Sequence, residues 1–145
     1  MKSVAQILKS KPEQAVQTVA SATSVFDTVK LMAEKNIGAL LVMDDAKIAG
    51  IVTERDYARK VVLMGRSSKE TPVRDIMTSP VMYVSLAHTN EQCMALMTDN
   101  RLRHLPVMEG DRLVGLISIG DLVKDIISEQ QFIIEQLEHY IAGDR

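Results

Sequence analysis

The chain has 145 residues, of which 46% are hydrophobic and 25% charged, so it can form the core and the surface of one ordinary domain. Its 17 basic and 19 acidic residues leave a net charge of −2, which argues against a general nucleic-acid binder because such proteins carry a basic excess. A single cysteine, Cys93, excludes an intramolecular disulfide and a cysteine-based zinc site.

The first half of the chain predicts a strand, a helix, two strands and a helix in that order. After an extended piece around Val19, Ser24 is the candidate N-cap of a helix that ends near Asn36 and carries apolar residues at helical spacing, namely Val25, Val29, Met32 and Ala33. The apolar run 39–43 predicts a strand buried on both faces, and a turn at 44–46 leads to a partner strand at 48–52. Gly50 inside that strand indicates a bulge or a close backbone approach, and the next helix begins at Thr53.

The second half repeats the first with a shift of 65 residues. Residues 18–60 then fall on 83–125 without a gap, and nine of the 43 pairs are identical, where about two or three would be expected by chance. The second copy therefore has its N-cap at Thr89, a helix that ends near Asn100, strands at 105–108 and 113–117, and a helix that begins at Ser118. The apolar pair Ile7-Leu8, before the first copy's first strand, corresponds to Ile76-Met77, before the second copy's first strand.

The predicted fold is α/β (α+β), with two tandem β-α-β-β-α repeats at 1–65 and 66–125 that form one module. One copy would bury its sheet poorly alone, so we expect the two to pack sheet to sheet about a pseudo-twofold axis. Residues 126–145 predict a C-terminal amphipathic helix whose apolar stripe needs a partner. That partner is either the chain's own module or a second copy; we favour the second copy and so predict a homodimer.

Each second strand ends in Gly-h-h-(Thr/Ser)-x-x-Asp, where h is apolar, with Thr53 and Asp56 in the first copy and Ser118 and Asp121 in the second. This spacing predicts a capping box at the start of the following helix. The same groups suit a nucleotide, because a carboxylate can accept hydrogen bonds from both ribose hydroxyls. The hydroxyl and the free N–H groups at a helix start can hold phosphate.

Three cationic residues are further candidates for phosphate binding: Arg55 beside Asp56, and the pair Arg103-His104 before the second copy's buried strand. Composition alone favours the alternative at 103–104, a solvated arginine and a structurally satisfied histidine.

Together these features resemble the cystathionine-β-synthase (CBS) domain pair, or Bateman module, over about residues 4–124. The doubled unit, the two Gly-h-h-(Thr/Ser)-x-x-Asp endings, Arg103-His-Leu-Pro-Val and the opening segment Val73-Arg-Asp-Ile-Met77 carry the resemblance. It implies a nucleotide-binding, energy-sensing regulatory role, with an adenosyl ligand in clefts between the copies. AMP, ATP and NAD or NADH are the favoured ligands, and ADP and S-adenosylmethionine also fit.

Carried over by position, the resemblance implies that Asp56 and Asp121 hold riboses and that Thr53 and Ser118 approach phosphate. The positions that would flank the ligand are Ile37, Gly38 and Ala39 in the first copy, and Leu102, Arg103 and His104 in the second. Three further positions, Thr78, Pro80 and Val81, would lie near the adenine of the second copy's ligand. Pro106 stands where the first copy has Leu41, so the two clefts are unlike and unequal affinities are expected.

The sequence indicates no enzyme, no catalytic cofactor and no metal site. The three histidines have no metal-ligand spacing, no base pairs with Cys93, and that cysteine is expected to be a buried structural thiol. The predicted partners are the nucleotide, a second copy and an unidentified effector protein that senses a population shift, with no nucleic acid. The alternative is a protein-interaction or assembly module whose ligand sites are vestigial.

The sequence predicts neither a signal peptide nor a membrane span. Residues 1–20 are too polar for a signal peptide, and the longest apolar run, residues 37–43, is much shorter than a membrane span. We therefore predict a cytoplasmic protein that makes no membrane contact.

Overall fold

A computed structural model of the chain describes residues 2–11 and 16–142. The elements in chain order are α1 Val4–Ser10, β1 Thr18–Val19, α2 Val25–Lys35, β2 Ala39–Asp44, β3 Lys47–Thr53, α3 Glu54–Tyr57, a π-helical segment Ala58–Val62, a 3-10 turn Val73–Asp75, α4 Asn90–Asn100, β4 His104–Glu109, β5 Arg112–Ser118 and α5 Ile119–Ala142. The predicted α/β fold is thereby confirmed, with two small sheets and the helices named above.

The internal repeat is visible in the elements themselves. Helix α4 and strands β4 and β5 begin and end 65 residues after α2, β2 and β3. The two hairpins are antiparallel and share one irregularity, a shift of register that follows Val42 in β2 and Val107 in β4. Ser24 and Thr89 cap α2 and α4 as predicted, each accepting a hydrogen bond from a backbone N–H three residues on.

Two details of the helices differ from the prediction. The left-handed residue that ends α4 is Arg101, with φ 54°, and not Asn100, because α4 continues through Asn100 and position 101 is the repeat equivalent of Asn36. Ala33 is exposed, and Thr28 is buried on α2 instead. The hydroxyl of Thr28 donates to the Ser24 carbonyl at 2.8 Å, which satisfies the buried polar group.

The chain divides into two compact units. The first, Ala15–Met82, contains the first copy, and we call it the repeat-1 unit. Its sheet has the order β1-β2-β3, with β1 parallel and β3 antiparallel to β2. The first four residues of β2 are buried, as the apolar run predicts. The core beneath the sheet also includes Val73 and Ile76.

The second unit joins Met1–Gln14 to Tyr83–Arg145, and we call it the repeat-2 unit. Strands β4 and β5 pair, and Val84 bridges to Val107 in parallel, in the place of β1. Val4 and Ile7 of α1 belong to this core. The segment that precedes each copy in the sequence therefore packs with the other copy's sheet, and the compact units do not divide the chain at the predicted repeat boundary.

Gly50 of β3 and Gly115 of β5 each lie close to the segment that precedes the other copy, which we call the opening segment. A Cβ atom on Gly50 would lie 2.6 Å from Met77 Sδ, and one on Gly115 would lie 2.9 Å from Leu8 Cδ2. Both distances are too short for a real contact, so the predicted close approach is confirmed in both copies. The sequence echo of Ile7-Leu8 and Ile76-Met77 is thus matched by equivalent packing in the two units.

Helix α5 confirms the predicted C-terminal helix, which continues without a break from the last helix of the second copy. Near its start Leu122 is fully buried in the repeat-2 core. Every residue from 130 to 141 is exposed. Among the described residues, no helix has the length and apolar character needed to cross a membrane.

Candidate functional site

The repeat-1 unit has a capping box at the end of β3. Thr53 Oγ1 accepts from the Asp56 N–H at 3.2 Å, and Asp56 Oδ2 accepts from the Thr53 N–H at 3.0 Å. The structure thus confirms the capping role predicted for this pair. On the other carboxylate oxygen, Lys60 Nζ lies 3.2 Å from Asp56 Oδ1. Lys60 belongs to the π-helical segment, a conformation that is frequent at functional sites.

The residues predicted to flank the ligand in this unit lie beside the capping box. Ala39 is the register partner of Thr53, and the Gly38 carbonyl accepts from the Glu54 N–H at 3.1 Å. A Cβ on Gly38 would find only ordinary contact, 3.7 Å from Glu54 Oε1. Ile37 is half-buried against the core, and Arg55 is exposed.

Residues 78–81, which the sequence assigned to the second copy, lie in the repeat-1 unit instead. Thr78 exchanges two backbone hydrogen bonds with Ile51 of β3, at 2.8 and 3.0 Å, which places it two residues from Thr53 along that strand. Thr78 and Pro80 are exposed, and Val81 is half-buried.

The repeat-2 unit has the equivalent box at the end of β5. Asp121 Oδ2 accepts from the Ser118 N–H at 2.9 Å, and Ser118 Oγ accepts from the Asp121 N–H at 3.2 Å. Lys11 Nζ donates to the same Oδ2 at 2.8 Å. Burial alone would raise the pKa of Asp121, but the hydrogen bonds from Lys11 and Ser118 outweigh it, so the pKa is lowered and the carboxylate is ionised.

The flanking residues of this unit repeat the first arrangement. His104 is the register partner of Ser118, and the Arg103 carbonyl accepts from the Ile119 N–H at 2.9 Å. Leu102 packs on the core, Pro106 is buried, and the Arg103 side chain is exposed. Burial lowers the pKa of His104, and the charges of Lys11 and Arg103 lower it further against the opposing effect of Asp121. His104 thus lies near a cationic and an anionic group, with burial as the main cause of its lowered pKa.

Two site residues, Lys11 and Lys60, were missed by the sequence reasoning. Lys60 follows Asp56 at the i,i+4 spacing of helical ion pairs, so a pattern for it was present. Lys11 is 110 residues from Asp121 in the sequence, and no local pattern links them.

Cys93 is buried, and burial raises the pKa of its thiol, as expected of a structural cysteine. Within the described ranges no three histidine, cysteine or acidic side chains group as metal ligands would.

The chain matches a known protein family twice. The signature of the CBS domain matches residues 4–63 and 73–128. The mitochondrial CBS domain-containing protein CBSX3 of Arabidopsis thaliana is 39% identical over 148 residues, which are 97% of this chain and 72% of that protein.

Solved structures give the same result. A protein with CBS domains from Burkholderia ambifaria is 60% identical, with a TM-score of 0.86 over 89% of this chain and 96% of that one. The CBS domain pair of protein MJ0100, solved with 5′-methylthioadenosine and S-adenosyl-L-methionine, is 21% identical, with a TM-score of 0.77 over 89% of this chain and 98% of that one.

Proposed function

This chain belongs to the CBS domain family, with one match to the domain in each half, and on that premise we propose that it is a regulatory module that binds an adenosyl nucleotide. AMP, ATP and NAD or NADH are the ligands we expect. The observation that carries the proposal is the pair of equivalent carboxylates: Asp56 and Asp121 are each fixed by the same two hydrogen bonds at the start of the helix that follows β3 or β5.

These carboxylates suit a ribose. Each is ordered by the backbone, so little side-chain freedom would be lost on binding. At Asp121 the backbone and Lys11 both use Oδ2, and among the described residues no hydrogen bond reaches Oδ1. A carboxylate has about four acceptor positions on its two oxygens, so the hydroxyls of a ribose have room to donate to Asp121.

The ligand class is supported by the fold. The MJ0100 pair was solved with two compounds that share an adenosine, and it shares its fold with this chain. The predicted ligand contacts around each carboxylate stay proposals. Around Asp56 they are Ile37, Gly38, Ala39, Thr53, Arg55, Thr78, Pro80 and Val81. Around Asp121 they are Leu102, Arg103, His104, Pro106 and Ser118. The neighbouring side chains do not require a glycine at Gly38, which leaves close approach of a ligand as its proposed role.

We propose regulation and not catalysis as the outcome of binding. The ligand would favour one conformation of the module, and an effector protein would recognise the changed surface. The relatives named above carry names that refer to their CBS domains and to no reaction. We propose the cytosol as the compartment; the mitochondrial label belongs to the plant relative.

The proposal is tested by titration calorimetry with AMP, ATP, NAD, NADH and S-adenosylmethionine. We expect at least one of them to bind wild type and to bind the Asp56→Asn, Asp121→Asn double variant at least about tenfold more weakly, since hydrogen bonds to a charged group contribute about 1.5–3 kcal/mol. Asparagine keeps a side-chain oxygen for the capping bond, so the fold is retained. Unchanged affinity in the double variant would remove the site assignment, and no binding of any ligand would remove the function.

Self-association is a second candidate function, favoured by one observation. All residues from 130 to 141 are exposed on every side of α5, although this stretch is rich in large apolar side chains. Ile126, Gln130, Ile133, Leu137 and Tyr140 follow one another at alternating spacings of four and three residues. This is the heptad spacing by which two helices pair in a coiled coil, and we call this row of five residues the seam. The charged residues of the stretch lie outside the seam. We propose that α5 pairs with the α5 of a second copy.

Sedimentation equilibrium tests the pairing. Leu137, which is 56% exposed, lies on the seam, and Gln131 is exposed away from it. We expect wild type to be a dimer, Leu137→Asp to be a monomer and the matched control Gln131→Asp to remain a dimer. A monomeric wild type, or a Leu137→Asp variant with the mass of the dimer, would contradict the pairing.

A further inference from the structure

In each unit a lysine ammonium lies on the carboxylate that we assign to the ribose. Lys11 Nζ is 2.8 Å from Asp121 Oδ2 and donates to the Leu116 carbonyl at 2.9 Å. Lys60 Nζ is 3.2 Å from Asp56 Oδ1 and donates to the Ile76 carbonyl at 2.9 Å. Both ammonium groups therefore bind one carboxylate and one backbone carbonyl.

The two lysines do not correspond in the repeat. Lys60 lies four residues after Asp56 in its own copy, where the second copy has Asp125. Lys11 comes instead from the segment just after α1. Two different elements thus bring an ammonium to two equivalent carboxylates, so the repeat alone does not explain the arrangement. The shared feature is the pairing of a lysine with the aspartate.

In both ion pairs the lysine ammonium can exchange the aspartate for another anion. The lysine side chains are 33% and 43% exposed, whereas the carboxylates of Asp121 and Asp56 are 16% and 14% exposed. A lysine carries a point charge on a flexible stem with three donors, of which two are in use here. Because each lysine side chain is a third or more exposed, its ammonium can turn toward a new anion, and the ribose hydroxyls would then donate to the carboxylate that it leaves.

The charges around each carboxylate show what the lysine does for an anionic ligand. A phosphate attached to a ribose that is bound at Asp121 would be repelled by that carboxylate, and Lys11 cancels the charge. Arg103 then adds a positive charge next to this balanced pair in the repeat-2 unit. In the repeat-1 unit the charges of Arg55 and Glu54 cancel, so Lys60 alone balances Asp56.

We propose that Lys11 and Lys60 are selectivity residues, which hold the ribose-binding carboxylates in the free protein and turn to the phosphate of the ligand. The module then prefers phosphorylated adenosyl ligands to uncharged nucleosides. This inference rests on the proposed function, because it needs an adenosyl ligand at Asp56 or Asp121.

The test compares AMP with adenosine by titration calorimetry on wild type and on the Lys11→Met, Lys60→Met double variant. Methionine keeps the apolar stem of the side chain and removes the charge. We expect wild type to prefer AMP, and the double variant to lose at least about tenfold of that preference through weaker AMP binding, as expected when a charge-assisted contact to phosphate is lost. Adenosine binding should be unchanged or tighter.

Two control variants separate selectivity from a structural role. Lys9→Met removes an exposed charge from α1 that forms none of the ion pairs among the described residues, and it should leave the preference unchanged. Lys11→Arg with Lys60→Arg keeps both charges and should retain the preference.

If wild type prefers AMP and the double methionine variant has the same ratio of affinities, the inference is wrong and the proposed function stands. A lower melting temperature with an unchanged ratio has the same meaning, because it shows a structural role only. If wild type binds neither AMP nor adenosine nor any other adenosyl ligand, the proposed function fails and the inference fails with it.

Discussion

At the scale of single residues, His104 is the group through which we expect pH to change the stability of the repeat-2 unit. Burial is the main reason why its pKa is lowered. The unfolded chain, with a histidine pKa of about 6.5, therefore binds a proton more readily than the folded chain does. Stability that depends on the neutral ring is complete above that value and is lost as the pH falls through the lower folded-state pKa.

We predict that the free energy of unfolding falls as the pH is lowered through and below about 6.5, and that it falls less in His104→Gln, which cannot take up the proton. Urea denaturation at a series of pH values measures both curves. Asp121 also has a lowered pKa, but its contribution is lost only near its own titration below about pH 4, outside this window. Parallel curves for the two proteins would show that His104 is not the titrating group.

The residues that the sequence predicted correctly are those whose signal is local. The spacing of Thr53 and Asp56, and of Ser118 and Asp121, predicted the two capping boxes because the geometry of a helix start fixes that spacing. Lys11 was not predictable in this way. Its contact with Asp121 depends on where α1 packs, and a single sequence does not contain that information.

At the scale of elements, the opening segments are the informative feature. Ile7 of α1 lies in the core of the repeat-2 unit, and its echo Ile76 lies in the core of the repeat-1 unit. Periodicity predicted the helices and strands of both copies, because their apolar patterns repeat within a few residues. It did not predict that each opening segment packs with the other copy's sheet, since that pairing is long-range.

We predict that Ile7→Ala and Ile76→Ala destabilise different units. Each should cost about 2–5 kcal/mol, because both side chains are almost completely buried. Hydrogen exchange monitored by mass spectrometry should show faster exchange in α4, β4 and β5 for Ile7→Ala, and in α2, β2 and β3 for Ile76→Ala. The two variants are matched controls for each other. If Ile7→Ala mainly loosened β2 and β3, the division into units would be contradicted.

At the scale of the whole molecule, the two candidate sites share a carboxylate and differ in what surrounds it. Gly38 and Ala39 occupy the positions that Arg103 and His104 occupy in the second copy. The repeat explains why both units carry a carboxylate at the same place, and these substitutions explain why we expect unequal affinities. The two capping boxes and their unlike neighbours were therefore predictable from the repeat, whereas the lysine beside each carboxylate was revealed by the structure.

The most direct test of the central claim, that Asp56 and Asp121 hold a ribose, compares AMP with 2′-deoxy-AMP by titration calorimetry. We predict that wild type binds AMP at least about tenfold more tightly, because the deoxy compound lacks a hydroxyl that would donate to a charged group. The Asp56→Asn, Asp121→Asn double variant should lose most of this difference. Equal binding of the two ligands by wild type, or a difference that persists in the double variant, would contradict the claim.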